Sequence, residues 1–170
     1  LTPSLNQSRY LFNLAHKNNV KLYVDDIENF KNKKLSFSKK KNKITRKKKD
    51  VGNITSLLYR LAYHDFYLLY SNFKNKKINI TSLIKKKYSL MFKINIGKKI
   101  YEFIYDIDSQ KKIHLINYSN FNLYTNNPLS EMLNAVLYKD IDFNKNEKIS
   151  LFANFLIDKI KKKYNLCIKN

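Results

Sequence analysis

The sequence predicts an α+β fold: a small antiparallel sheet over about residues 76–118, flanking helices, and a long basic loop near 31–50. Three observations predict it. Apolar residues alternate with polar ones in SLMFKINI (89–96) and IYEFIYDI (100–107), with Gly97 between the two runs. Apolar residues recur at helical spacing in three other stretches, around 53–72, 128–137 and 147–164. Finally, residues 31–49 hold eleven Lys or Arg and no acid. Charges of one sign at that density repel, and the isolated Leu35, Phe37 and Ile44 offer little area to offset the entropy of ordering. The chain therefore divides into an N-terminal helix–strand segment (1–30), a basic extended loop (31–50) and an α+β domain (51–170).

Taken in order, residues 5–18 suit a short helix, with Leu5, Tyr10, Leu11, Leu14 and Ala15 near helical spacing. Val20, Leu22 and Val24 alternate as in a brief strand. Asp25, Asp26 and Glu28 then form the most acidic cluster of the chain, best suited to a solvated turn or a helix cap. Residues 53–72 are the strongest helix. Leu57, Leu58, Leu61, Leu68 and Leu69 mark one side, and Tyr59, Tyr63, Phe66, Tyr67 and Tyr70 much of the other. A helix apolar nearly all round is covered on several sides, here partly by another protein chain or by RNA as well as by its own chain. Arg60 and His64 stand four residues apart beside Asp65, the spacing of a polar strip, and an acid–base pair is the sharper alternative.

The β region begins at Ile78 and Ile80. Gly97 suits a hairpin connection, because a residue at positive φ costs glycine least. A third strand is expected at 113–118, with His114 on its outer face. Asn127-Pro128 opens the next helix as N-cap and first helical residue. Leu129, Met132, Leu133, Val136 and Leu137 then follow a core-packing pattern. In the last helix Glu147 lies near the start, and Lys159, Lys161, Lys162 and Lys163 crowd the end, as the helix dipole favours.

Several chemistries are excluded. The single cysteine, Cys167, allows neither a disulfide framework nor a Cys-based zinc site. Three dispersed histidines argue against a His-rich metal centre. With Gly52 and Gly97 the only glycines, no glycine-rich phosphate loop can be built, and no nucleotide or zinc-protease motif is present. The run Asp140–Asn144 imitates the start of a calcium loop, but Lys145 and Leu151 stand where Gly and Glu are needed. No stretch reaches the roughly 20 apolar residues of a membrane span. No catalytic residue, metal or cofactor is expected.

The formal net charge is +21 and the aromatic content 14%. Lys, Asn, Ile, Tyr and Phe crowd the chain, while Gly, Pro and Ala are scarce, the mark of an AT-rich genome. Codon drift toward Lys would bring Glu with it, and Glu is rare, so the basic excess outlasts that correction. In composition, and in its layout of a folded core with a basic extension, the chain resembles ribosomal proteins encoded in AT-rich organellar genomes, protist mitochondrial ones above all. The resemblance implies a structural, non-enzymatic ribosomal component of the mitochondrial matrix, part of a large hetero-complex with ribosomal RNA and neighbouring ribosomal proteins. The charge pattern itself, and not the resemblance, puts the phosphate contacts at Lys31, Lys33, Lys34, Lys39, Lys40, Lys41, Lys43, Arg46, Lys47, Lys48, Lys49, Lys161, Lys162 and Lys163. The rival expectation is an accessory subunit of a membrane-associated respiratory assembly, its lysines facing anionic lipid.

Overall fold

A computed structural model describes residues 4–31, 35, 37–138 and 141–165. Lys33, Lys34, Asp140 and Cys167, singled out above, lie outside the described residues. The fold is α+β. Six strands form one mixed sheet in the order β2-β3-β4-β1-β5-β6: β1 (Lys41–Lys47), β2 (Ile78–Lys85), β3 (Ser89–Ile96), β4 (Lys99–Asp106), β5 (Ile113–Ile116) and β6 (Ser119–Asn120). The helices are α1 (Leu5–Lys17), α2 (Ile54–Leu57), α3 (Tyr63–Phe73), α4 (Pro128–Tyr138) and α5 (Phe143–Lys163).

The β2–β3–β4 meander follows the alternation of its sequence. Ile96 faces Lys99 across a two-residue turn, in which Gly97 takes φ +55°. Its inward residues build the core: Phe92 and Phe103 stack with centroids 4.8 Å apart, and Phe66 of α3 meets the Phe103 ring edge-on at 5.5 Å. Strand β1 was not expected. It lies mid-sheet, parallel to β4 and antiparallel to β5, so that Ile44 pairs with both Phe103 and Ile116. The stretch 31–50 is thus not an extended loop throughout. Its charges stay compatible with a strand because β parity sends Lys41, Lys43 and Lys47 outward, and Asn42, Ile44 and Arg46 inward.

The 53–72 helix forms with a break. Asn53 caps it by accepting from Ser56 N at 2.8 Å, and a π turn (Leu58–Ala62) separates α2 from α3. Each π turn takes up an extra residue, so the faces shift relative to a regular helix. Arg60, His64 and Asp65 consequently part company. Arg60 donates to the carbonyls of Asp50 and Val51, Asp65 is fully buried, and His64 is half-buried at a cleft. The tyrosine side needs no second chain to cover it. Tyr63 hydroxyl bonds Ser150 Oγ at 2.7 Å, and Tyr67 hydroxyl accepts from Asn146 Nδ2 at 2.7 Å, both partners lying on α5.

Segment 20–25 is extended but joins no strand of the sheet. Asn146 holds it, accepting from Val24 N and donating to Val24 O, both at 2.9 Å. Asn127 caps α4 through Ser130 N at 3.2 Å, as its position predicts. The expected core face of α4 differs: Met132 and Ala135 are buried, whereas Leu129, Leu133 and Leu137 are exposed. On α1 likewise Phe12 and Ser8 are buried, and Tyr10, Leu11 and Leu14 are exposed. Helix α5 starts at Phe143, earlier than its apolar pattern, because Asp142 caps it through Lys145 N at 2.8 Å.

Candidate functional site

Two adjoining features stand out on the helix side of the sheet: a buried ionic cluster, and a cleft bordered by His64. The cluster assembles from five elements. Arg46 (β1) donates from Nε to both Asp65 oxygens (α3) at 2.9 and 3.1 Å, and from Nη1 to Glu28 at 3.2 Å. Tyr105 (β4) donates its hydroxyl to Asp65 Oδ2 at 2.9 Å. His114 (β5) brings Nε2 to 3.1 Å from Asp65 Oδ1, and Lys31 closes the far side on Glu28 at 2.7 Å.

Burial alone would raise the Asp65 carboxyl, but the Arg46 guanidinium, with His114 and Tyr105 behind it, outweighs that and holds it at about 2. Burial would likewise raise Glu28; Arg46, His114 and Lys31 pull it below its ordinary value. His114 moves the other way, lowered first by burial and then by Arg46. It is neutral at pH 7.

These positions correct several expectations. Arg46 is a buried ion-pair partner rather than a phosphate contact, and Lys31 is spent on Glu28. His114 sits inside, since β5 runs beside β1 and turns it toward Arg46 and Asp65. Glu28 and Asp26 are buried, not solvated. Asp26 is instead gripped by the Tyr23 hydroxyl and by Asn29 Nδ2. Of the other predicted contacts, Lys39, Lys40, Lys41 and Lys49 are exposed, and Lys43, Lys47 and Lys48 half-exposed. Lys161 donates to the Tyr59 hydroxyl, Lys163 to the Ile80 carbonyl, and Lys162 is exposed.

The cleft, of about 380 Å³, opens between α1, the 22–25 segment and α5. Leu11, Phe12, Leu22 and Val24 make its apolar wall; Ser8, Tyr23, His64, Ser150 and Asn154 supply polar atoms, and Asp25 is the one carboxylate. Asn154 is 2% exposed and donates from Nδ2 to Ser8 Oγ (2.9 Å) and Ser150 O (3.2 Å), while its Oδ1 has no partner. His64 Nδ1 is also buried without one. Burial, then Arg46, lowers the His64 pKa, so this ring too is neutral at pH 7. A buried acceptor left unpaired is costly. Among the described residues no group of His, Cys, Asp or Glu is arranged to hold a metal, and no helix is long and apolar enough to cross a membrane.

The sequence hinted at little of this. His64 and Asp65 were visible as a pair, but Asn154 and Ser150 look like ordinary polar positions of an amphipathic helix.

No family model and no curated protein matches the chain. Its fold, however, is that of known oxidoreductase structures. A Gfo/Idh/MocA family oxidoreductase from Vibrio cholerae superposes with TM-score 0.62 at 11% identity, over 97% of this chain and 70% of that one. The WlbA dehydrogenase from Thermus thermophilus, solved with NAD and UDP-GlcNAcA, gives 0.59 at 9% identity, over 90% and 60%. The MviM dehydrogenase from Clostridium difficile gives 0.52 at 13% identity, over 94% and 60%. The chain therefore spans only part of the proteins it resembles. This likeness corrects the expectations of a non-enzymatic ribosomal RNA-binding component and of a respiratory accessory subunit. The basic stretch that motivated them is partly a core strand.

The described residues do not fit the dinucleotide that one of these structures holds. Such a cradle needs a glycine-rich turn from a parallel strand into a helix. The turn after β1 carries only Gly52, and Asn53 and Arg60 already occupy its polar groups.

Proposed function

We propose that this chain is the substrate-holding part of an oxidoreductase-type enzyme and seats a small hydroxylated molecule in the cleft beside His64. The observation that carries this reading is the unpaired, buried Oδ1 of Asn154 in the wall of that cleft. A substrate hydroxyl can donate to it, while the neutral His64 ring offers a second polar contact and a proton acceptor. The volume suits a small neutral sugar, and the mixed apolar and polar lining, with Asp25 able to accept from a sugar hydroxyl, is typical of such sites. The fold likeness to dehydrogenases supports the assignment to that class. The hydride acceptor would be held outside these residues, because they form no dinucleotide cradle.

The test is thermal unfolding of the chain with N-acetylglucosamine, glucose and mannose as probes. At about 100 times the dissociation constant a bound probe adds about 2.7 kcal/mol, a shift of several degrees. Leu11→Trp, at an exposed position on the cleft wall, should abolish the shift without lowering the unliganded melting temperature. A shift that survives in this variant, or none with any probe, overturns the proposal.

A further inference from the structure

The opposite face of the sheet holds a second cleft of about 380 Å³, with no helix residue in its lining and a different chemistry. It is independent of the site beside His64. Lys39, Lys41, Lys43 and Lys93 line it against one carboxylate, Glu102, which lies 3.6 Å from Lys93 Nζ. Parity aims Lys41 and Lys43 the same way from β1, with Cα atoms roughly 7 Å apart. Two cations on flexible stems at that spacing can meet two linked phosphates.

At its rim stands Tyr118, 77% exposed. Asn117 and Tyr118 form the two-residue turn between β5 and β6, and both are left-handed, at φ 50° and 72°. Asparagine takes that conformation readily; a bulky aromatic does not. Asn117 is fixed in place by accepting from Lys43 N at 2.9 Å and donating to Asn42 Oδ1 at 3.0 Å. The turn thereby holds the Tyr118 ring near Lys43, whose Nζ lies 6.0 Å from its centre. Positive φ at both central residues is what such a two-residue hairpin requires, and the turn thereby sets an exposed aromatic at the rim of the cleft. Two more irregularities fall in the same cleft. The β2–β3 register slips at Thr81, a bulge of the kind that re-aims a side chain, and Asn95 Oδ1 is buried without a partner.

We propose that this cleft binds a nucleoside diphosphate, its phosphates on Lys39, Lys41 and Lys43 and its base against the Tyr118 ring. Lysines alone would take any small anion. The exposed aromatic beside them selects one that carries a flat ring.

Isothermal titration of the chain with UDP, inorganic pyrophosphate and uridine separates the two contributions. UDP should bind about tenfold more tightly than pyrophosphate, the effect of one base on an aromatic. Tyr118→Gly removes the ring and suits the left-handed turn. It should reduce UDP to the affinity of pyrophosphate and leave the melting temperature unchanged or higher. The double variant Lys41→Gln, Lys43→Gln should weaken both phosphates about tenfold or more. UDP no tighter than pyrophosphate, UDP binding unchanged by Tyr118→Gly, or no UDP binding at millimolar concentration would each overturn the proposal. Loss of the melting shift in Leu11→Trp, with UDP binding intact, would keep this site apart from the one beside His64.

Discussion

The two faces of β1 carry similar letters and opposite physics. Outward, Lys41 is exposed and Lys43 and Lys47 half-exposed, with the long-range repulsion of a basic surface screened by salt. Inward, Arg46 is sealed between Asp65 and Glu28, where no salt reaches it. A buried charge persists only if it is paired and hydrogen-bonded, and Arg46 has a carboxylate on two sides. Position by parity, and not basicity as such, decides whether a cation on this strand serves the fold or faces a ligand.

The largest effect should come from removing the inner cation. Arg46→Ala strands Asp65 and Glu28 as buried carboxylates, and breaking such a pair costs about 3–5 kcal/mol. Urea unfolding should show that loss, or fail to find a folded state at all. A destabilisation below about 1 kcal/mol would mean that water reaches the cluster.

A second effect follows from pH, and its sign is fixed by two groups shifted the same way. Asp65 is depressed from 3.8 to about 2 in the folded chain. Its contribution is therefore complete above about 4, and it is lost as pH falls toward 2; by linkage it is on the order of 2 kcal/mol. His114 is also lowered, so protonation favours the unfolded chain as pH drops through the ordinary histidine range near 6.5. Stability should thus decline in two steps on acidification. His64 is lowered in the same way, so His114→Gln should shrink the upper step, adding His64→Gln should remove it, and the fall toward pH 2 should stay, as read by denaturant midpoints across pH. A single step in the wild type would deny His114 its buried, neutral state.

The same parity explains what was legible. The meander β2–β4, its Gly97 turn, the Asn127 cap and the existence of four helical stretches follow from local pattern, because their inward residues are apolar. Strand β1 was hidden since its inward set is Asn42, Ile44 and Arg46, of which one is apolar. The two polar members are buried only because Asn117 and Asp65, 75 and 19 residues away, satisfy them. Neither partner can be found by spacing. The cleft at His64 was illegible for a related reason: the π turn at 58–62 moves His64 away from Arg60, and Asn154 joins it from the last helix. Charge count misled most where it was read without regard to side.

The smallest effect completes the contrast on the outer face. Lys47 lies 3.8 Å from Asp106, and both side chains are about one-third exposed or more. An ion pair in such surroundings gains little, since water solvates both partners and two side chains lose freedom to meet. Lys47→Gln should therefore change stability by no more than about 0.5 kcal/mol, against several for Arg46→Ala one position away. The comparison is sharpened by salt. Raising it should leave the Arg46 deficit untouched and erase what little the Lys47 variant loses, because only the outer pair is screened. Equal losses in the two variants would break the parity argument, for they would place both cations in one environment.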